Sequence, residues 1–122
     1  MIILVIDDEA QLRKIFQAML AEAGHQVLTA ESGRHALRLL QHQEVDLALV
    51  DIFMPEMDGL ELIPCLRKTR PACKIMAISG ESGERDYLDT AKYLGAHATL
   101  KKPLTRQELL DAVTFQLKGE HP

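Results

Sequence analysis

The 122-residue sequence has no tryptophan, only two cysteines and no long apolar run. Cys65 and Cys73 do not have the spacing of metal ligands, which predicts two reduced thiols in a cytoplasmic protein. The apolar runs are far shorter than the roughly 20 residues of a membrane span, and no basic segment precedes the first run, as a signal peptide requires. The net charge of −4 gives no electrostatic reason to expect nucleic-acid or membrane binding.

What is present fits one domain, residues 1–122, with a frayed tail expected from about residue 119. Short apolar runs alternate five times with segments whose apolar residues recur at helical spacing. The predicted strands are residues 2–6, 25–30, 46–50, 74–78 and 97–100, and the predicted helices are residues 12–23, 33–40, 59–70, 84–94 and 105–118. This alternation predicts an α/β, flavodoxin-like, doubly wound (βα)5 fold with a five-stranded parallel sheet of order 2-1-3-4-5.

Local signals predict several helix ends. Gly24 is expected to end the first helix, and Ser32 to cap the second. Thr105 and Glu108 form a capping box at the start of the last helix. Pro64 lies inside the third predicted helix, where a proline costs roughly 3 kcal/mol, so a kink or a restart is expected there.

Asp51 is the most informative residue, because it stands at the end of the apolar run at residues 45–50. A run of this kind is typical of a parallel strand buried on both faces. Asp51 is therefore predicted at the carboxyl edge of the sheet, where open α/β sheets bind ligands.

Polar residues also follow three other predicted strands: Asp7 and Asp8 after the first, Ser79 after the fourth and Lys102 after the fifth. Each alone has an ordinary explanation as a turn residue, a helix cap or a solvated charge. Together with Asp51 they place three carboxylates, a hydroxyl and an ammonium on one edge. Clustered carboxylates repel one another unless a cation lies among them, and a few oxygen ligands with room for water suit Mg²⁺. With the metal bound, a carboxylate can attack phosphorus and form an aspartyl phosphate.

These residues and their neighbours resemble the response-regulator receiver domain of two-component signalling over essentially the whole chain. The resemblance depends on residues 5–9, 49–59, 78–80, 94–96 and 102–103. It implies that Asp51 accepts a phosphoryl group from the phosphohistidine of a sensor histidine kinase or phosphotransfer protein, with small acyl phosphates as further donors. It also implies a conformational switch rather than a turnover enzyme.

The resemblance implies a role for each residue around the phosphoacceptor. Asp8, the phosphoacceptor and the backbone carbonyl of Phe53 would bind Mg²⁺ or Mn²⁺, and Asp7 would act mostly through water. Lys102 would pair with the phosphoryl group, and Ser79 would turn inward to bond it. The peptide bond after Lys102 is expected to be cis.

Two positions depart from the family pattern. Thr99 stands where the family usually has a Tyr or Phe whose ring moves inward on activation, so that ring movement is impossible here. Phe53 follows the phosphoacceptor by two residues, and its bulk predicts shielding of the acyl phosphate from water and slow self-dephosphorylation. The family also tunes this rate at the position of Glu81.

A helical wheel places Tyr93 and Phe115 opposite the apolar stripes of the fourth and fifth helices, and places Tyr87 on the buried stripe. Isolated exposed aromatics are common, but aromatic residues are enriched in binding hot spots, and the family often uses this face. We therefore expect a downstream protein partner at Tyr93 and Phe115, and a monomer or weak dimer. The five histidines have no metal-ligand spacing and are expected at the surface.

Two other functions are considered. A Mg²⁺-dependent phosphatase with an Asp nucleophile usually has a second carboxylate two residues later, where this chain has Phe53, and a phosphoester turnover assay would distinguish it. An FMN-binding flavodoxin-like protein needs a polar, glycine-rich phosphate loop after the first strand, where this chain has acidic residues. The sequence leaves open whether the receiver stands alone or belongs to a longer regulator, and it contains no predicted helix-turn-helix.

Overall fold

A computed structural model describes residues 1–54, 56–80 and 85–118, and within them five strands alternate with five helices in the predicted order. The strands are β1 (Ile2–Ile6), β2 (Gln26–Ala30), β3 (Leu47–Asp51), β4 (Lys74–Ser79) and β5 (Ala98–Lys101). The helices are α1 (Ala10–Glu22), α2 (Gly33–Leu40), α3 (Gly59–Thr69), α4 (Arg85–Leu94) and α5 (Arg106–Lys118). Glu84 and the predicted tail from residue 119 lie outside the described residues.

The five strands are all parallel and their order is β2-β1-β3-β4-β5, which confirms the predicted fold class. Successive side chains of a strand point to opposite faces, and β1 shows the consequence. Ile3 and Val5 pack in the core beneath α1 and α5, whereas Leu4 and Ile6 pack in the core beneath α2, α3 and α4. The sheet therefore has a hydrophobic core on each face. Strand β3 lies between these two cores and is buried along its whole length.

The predicted helix signals act as expected at three helix ends. Gly24 has a φ of +96° just after α1. Ser32 accepts a hydrogen bond from the backbone N–H of His35 at 3.1 Å. Thr105 and Glu108 bond each other's backbone N–H groups, both at 3.0 Å.

The predicted restart at Pro64 is wrong, because α3 continues through this residue. Pro64 is exposed, while Leu62, Ile63 and Leu66 around it are fully buried. Burying three large apolar side chains contributes more than the roughly 3 kcal/mol that an interior proline costs.

Two helix side chains do not lie where the helical wheel places them. Tyr87 is exposed rather than buried, and Phe115 is half-buried rather than exposed. Tyr87 lies in the first turn of α4 and contacts Phe53 instead of the core, while α5 is half-buried around most of its circumference. The prediction for Tyr93 is confirmed, since 90% of its surface is exposed.

The prediction for the histidines needs correction, because three of them are half-buried: His25, His35 and His97. His97 is a structural residue whose Nδ1 accepts the backbone N–H of Ile75 at 3.0 Å, and burial lowers the pKa of its imidazole. His42 is exposed as expected, and His121 lies outside the described residues.

The described helices are all too short, or too polar, to cross a lipid bilayer.

Candidate functional site

The carboxyl edge of the sheet brings together the polar residues that follow its strands. Asp51 is the last residue of β3 and Ser79 the last of β4, while Asp7 and Asp8 follow β1 and Lys102 follows β5. Because parallel strands end at the same edge, residues up to 95 positions apart meet here. The predicted convergence of these five residues is confirmed for the acidic group and the lysine by the distances below.

Asp7, Asp8 and Asp51 form a compact acidic cluster, in which one carboxylate oxygen of each lies within 4.8 Å of the others. Asp7 and Asp51 are buried, and Asp8 is exposed. Ligands of one Mg²⁺ ion, at about 2.0–2.1 Å from the metal, are at most roughly 4.2 Å apart. The observed spacing is close to this limit, and the three donors are carboxylate oxygens, so the donor set fits a hard divalent cation with water in its remaining positions.

Lys102 supplies positive charge between the two buried carboxylates. Its Nζ lies 3.7 Å from Asp7 Oδ2 and 3.8 Å from Asp51 Oδ1. The backbone N–H of Lys102 donates to the Ser79 carbonyl at 2.8 Å, which ties the loop after β5 to the end of β4. The Lys102–Pro103 peptide bond is cis, as expected.

Burial dominates the electrostatics of this cluster. It raises the pKa of Asp51 to about 6, against the attraction of Lys102, which lowers it. Burial also raises the pKa of Asp7, and the Glu9 N–H and Lys102 oppose that shift. One ammonium therefore does not compensate two desolvated carboxylates, and a divalent cation among them would favour their ionised forms.

Asp7 is held more tightly than its neighbours. Its backbone N–H donates to Ala30 at 3.1 Å, its Oδ1 accepts the Glu9 N–H at 2.8 Å, and its carbonyl accepts Arg13 Nη1 at 2.8 Å. With Oδ1 already bonded and Oδ2 facing Lys102, Asp7 is less available as a metal ligand than Asp8. Sequence reasoning missed Arg13, since its bond goes to a backbone carbonyl and no side-chain pattern signals it.

Phe53 connects the site to helix α4. Its backbone N–H donates to Asp51 Oδ1 at 3.3 Å, and its ring packs against the ring of Tyr87 with centroids 5.0 Å apart. Thr99 lies in β5 opposite Ala77 and is half-buried. Glu81, the other position named for the phosphoryl lifetime, lies outside the described residues.

Gly59 lets helix α3 begin directly against the end of β3. Asp58 caps the helix by accepting the Glu61 N–H at 2.9 Å, and the Gly59 N–H donates to Ile52 at 2.8 Å. A Cβ at Gly59 would lie 2.6 Å from the Asp51 carbonyl oxygen and 2.7 Å from Ile52 Cα. Only glycine fits this approach without moving the backbone of the central aspartate.

Gly59→Ala is therefore expected to destabilise the domain by about 1–3 kcal/mol, as overpacking usually does, and to displace Asp51. Urea unfolding measures the first effect. Gly33→Ala is the matched control: Gly33 also begins a helix after a side-chain cap, but its Cβ would meet the end of the flexible Met57 side chain, at 2.9 Å from Sδ. Equal unfolding midpoints for the two variants would contradict the close approach at Asp51.

Comparison with known proteins gives one consistent family. The sequence model described as response regulator receiver domain matches residues 3–114. The transcriptional regulatory protein GlrR of Escherichia coli K12 is 32% identical over 120 residues, covering 98% of this chain and 27% of that protein. The autoinducer 1 sensor kinase/phosphatase LuxN of Vibrio harveyi is 36% identical over 107 residues, covering 88% of this chain and 12% of that protein. The chain thus spans about a quarter, or less, of the length of these two relatives.

A solved structure of a response regulator receiver domain protein from Clostridium thermocellum is similar over the whole fold. Its TM-score is 0.90 at 30% identity, with 97% of this chain and 94% of that chain covered. The receiver domain of NtrX from Brucella abortus has a TM-score of 0.91 at 28% identity, covering 97% and 99% of the two chains. With this fold and a family match over nearly its whole length, the chain belongs to the response regulator receiver domain family.

Proposed function

We propose that Asp51 accepts a phosphoryl group from the phosphohistidine of a sensor histidine kinase or phosphotransfer protein, in a Mg²⁺-dependent reaction that switches the domain. One observation carries the proposal: a buried carboxylate at a strand end has two further carboxylates within 4.8 Å and an ammonium at 3.8 Å. Negative groups that hold a metal, beside a fixed positive group, are what phosphoryl transfer to a carboxylate requires.

In the proposed reaction a carboxylate oxygen of Asp51 attacks phosphorus, and the P–O bond forms as the P–N bond of the phosphohistidine breaks. The leaving ring nitrogen takes the electron pair, and the imidazole, protonated at its other nitrogen, leaves neutral. Lys102 neutralises charge on the phosphoryl oxygens, and Ser79 donates a hydrogen bond to one of them. Small acyl phosphates react in the same way, with a carboxylate as the leaving group.

Mg²⁺, when bound, adds Lewis-acid neutralisation of the phosphoryl charge. Asp8, Asp51 and the backbone carbonyl of Phe53 would hold it, with Asp7 acting through water. Mn²⁺, which also accepts oxygen ligands, would bind the same residues. Hydrolysis of the acyl phosphate, in which water takes the phosphoryl group and the Asp51 carboxylate is released, is expected to be slow because Phe53 restricts the access of water. The chain would therefore act as a switch rather than a turnover phosphatase.

The downstream partner is proposed to be a protein that contacts α4 and α5 in the cytoplasm, without direct contact to nucleic acid or membrane. Tyr93 offers the larger contact, since 90% of its surface is exposed, and Phe115 adds only its exposed part. GlrR is a transcriptional regulatory protein and LuxN a sensor kinase/phosphatase, although both match this chain. The partner-binding surface of a receiver, rather than its acidic site, would therefore select the output, with the domain itself a monomer or weak dimer.

The test is phosphorylation by acetyl phosphate in the presence of Mg²⁺, followed by mass mapping. A gain of about 80 Da on the peptide that contains Asp51 is expected. The adduct should be labile in acid, as an acyl phosphate is, whereas a serine phosphoester survives acid. Phosphate on another residue, or turnover of a generic phosphoester, would contradict the proposal and favour the phosphatase.

Mg²⁺ alone should raise the melting temperature of the domain, because a ligand that binds only the folded state stabilises it by mass action. At 100 times its dissociation constant the gain is about 2.7 kcal/mol. Asp8→Asn should remove most of this gain, whereas Asp89→Asn, at an exposed position in α4, should keep it. A melting temperature that does not change with millimolar Mg²⁺ would exclude the proposed metal site.

A further inference from the structure

We propose that Tyr87 is a positioning residue for the segment after Asp51, and that its ring contact with Phe53 carries the phosphorylation state to helix α4. The inference rests on the proposed phosphorylation of Asp51. It adds a residue that neither the sequence patterns nor the acidic site reveals.

A continuous series of contacts links the phosphoacceptor to this helix. The Phe53 N–H donates to Asp51 Oδ1 at 3.3 Å, and the Phe53 ring meets the Tyr87 ring edge to face, with planes at 78°. Tyr87 is the third residue of α4. Both rings are 43% exposed, so either ring can move without opening the hydrophobic core.

Phosphorylation changes the first contact of this series. An ionised carboxylate oxygen is a strong acceptor for the Phe53 N–H, whereas the carbonyl oxygen of an acyl phosphate carries little charge. The charge moves outward to the phosphoryl oxygens, which become the better acceptors. The backbone at Phe53 is therefore drawn toward the phosphoryl group, and its side chain turns with it.

The second contact passes this movement to α4. Edge-to-face aromatic pairs have a preferred geometry, so Tyr87 either follows the Phe53 ring or loses the contact. Helix α4 packs on α3, β4 and β5, and a change in its first turn shifts how it lies on them. Its exposed Tyr93 lies six residues later on the same helix, so the proposed partner surface moves with it.

The short side chain at position 99 offers no aromatic ring to the switch. Thr99 has no ring to move inward beside β4, where it lies opposite Ala77. Phe53 and Tyr87 instead place an aromatic contact between the segment after β3 and the start of α4. Tyr87 holds Phe53 in the resting state and responds to it in the phosphorylated state.

The experiment is amide hydrogen exchange of α4, with and without acetyl phosphate and Mg²⁺, in four forms of the chain: wild type, Tyr87→Leu, Tyr87→Phe and Asp89→Asn. Phosphorylation should change exchange in α4 of the wild type. Tyr87→Leu should reduce this change by about 2- to 10-fold, the factor that corresponds to one aromatic pair. Tyr87→Phe, which keeps the ring, and Asp89→Asn, which changes another exposed α4 residue, should retain it.

Mass spectrometry of the same samples separates the two proposals. If the wild type gains no phosphoryl mass at Asp51, the proposed function fails, and this inference with it. If the mass is gained but Tyr87→Leu keeps the full α4 response, or Tyr87→Phe loses it, only the ring contact is overturned. Phe53→Leu should match Tyr87→Leu, and the double variant should show no further loss, because both remove the same contact.

Discussion

Asp51→Asn is expected to abolish phosphorylation and, in metal-free buffer at pH 8, to stabilise the folded domain by about 3 kcal/mol. The amide cannot form an acyl phosphate with the donor, so the mass gain disappears. The stabilisation has a separate cause. Burial raises the pKa of the Asp51 carboxyl from 3.8 to about 6, which means that the folded domain pays for ionising this group above that pH.

The pH dependence of this gain has a definite sign. Between the unfolded pKa of 3.8 and the folded value of about 6, the folded wild type binds more protons than the unfolded chain. The contribution of Asp51 to the free energy of unfolding therefore falls as the pH rises through this range. In Asp51→Asn the side chain at position 51 does not titrate, so this change is absent. The gain should be complete at pH 8, small near pH 4 and lost below the unfolded pKa of 3.8, as measured by urea unfolding.

Asp8→Asn is the matched control for Asp51→Asn. Asp8 is exposed, so its replacement removes a proposed metal ligand without removing a desolvated charge. It should weaken the effect of Mg²⁺ on melting but leave metal-free stability nearly unchanged. Equal metal-free stability of wild type and Asp51→Asn at pH 8 would show that burial does not penalise the Asp51 carboxylate.

Lys102→Met is expected to slow phosphorylation at pH 7 by roughly 10²-fold or more, the usual effect of removing one preorganised charge that stabilises a transition state. The ammonium lies within 3.8 Å of Asp51 and 3.7 Å of Asp7. Its loss also raises the pKa of Asp51 further, since Lys102 is the largest influence that lowers it. Less of the nucleophile is then ionised before the metal binds, so the pH–rate profile should move to higher pH.

Lys101→Met controls for the loss of one positive charge in the same segment, because Lys101 is exposed and ends β5. It should phosphorylate at nearly the wild-type rate. Mg²⁺ should still raise the melting temperature of Lys102→Met, since the three carboxylates remain. A wild-type rate for Lys102→Met would contradict the role of this lysine, and loss of the Mg²⁺ effect would indicate damage to the acidic cluster itself.

Much of the fold could be predicted because its signals are local. Parallel strands buried on both faces appear as continuous apolar runs, and Gly24, Ser32 and the pair Thr105 and Glu108 mark helix ends within a few residues. Secondary structure bounds were accordingly predicted to within two residues of those observed. The restart predicted at Pro64 was wrong, because the burial around this residue depends on what α3 packs against.

Side-chain environments were predicted less well, because they depend on neighbours that are distant in the sequence. The helical wheel of α4 predicts the direction in which Tyr87 points, but it does not show what lies opposite this side chain. The contact between Tyr87 and Phe53 was therefore missed. His97 carries no sequence signal for its bond to Ile75, 22 residues earlier. Arg13 and the close approach of Gly59 to Asp51 involve backbone atoms, which side-chain patterns do not describe.

The order of residues was enough to predict the α/β fold, the family and the residue types at each strand end. Once the strands are parallel, chain order also brings five polar residues to one edge of the sheet: Asp7, Asp8, Asp51, Ser79 and Lys102. Packing in three dimensions was needed to show that Asp51 is buried with Lys102 3.8 Å away, that Asp8 is exposed, and that Tyr87 meets Phe53. Desolvation and Coulomb interactions depend on distances through space, and those distances are set by packing rather than by the order of residues.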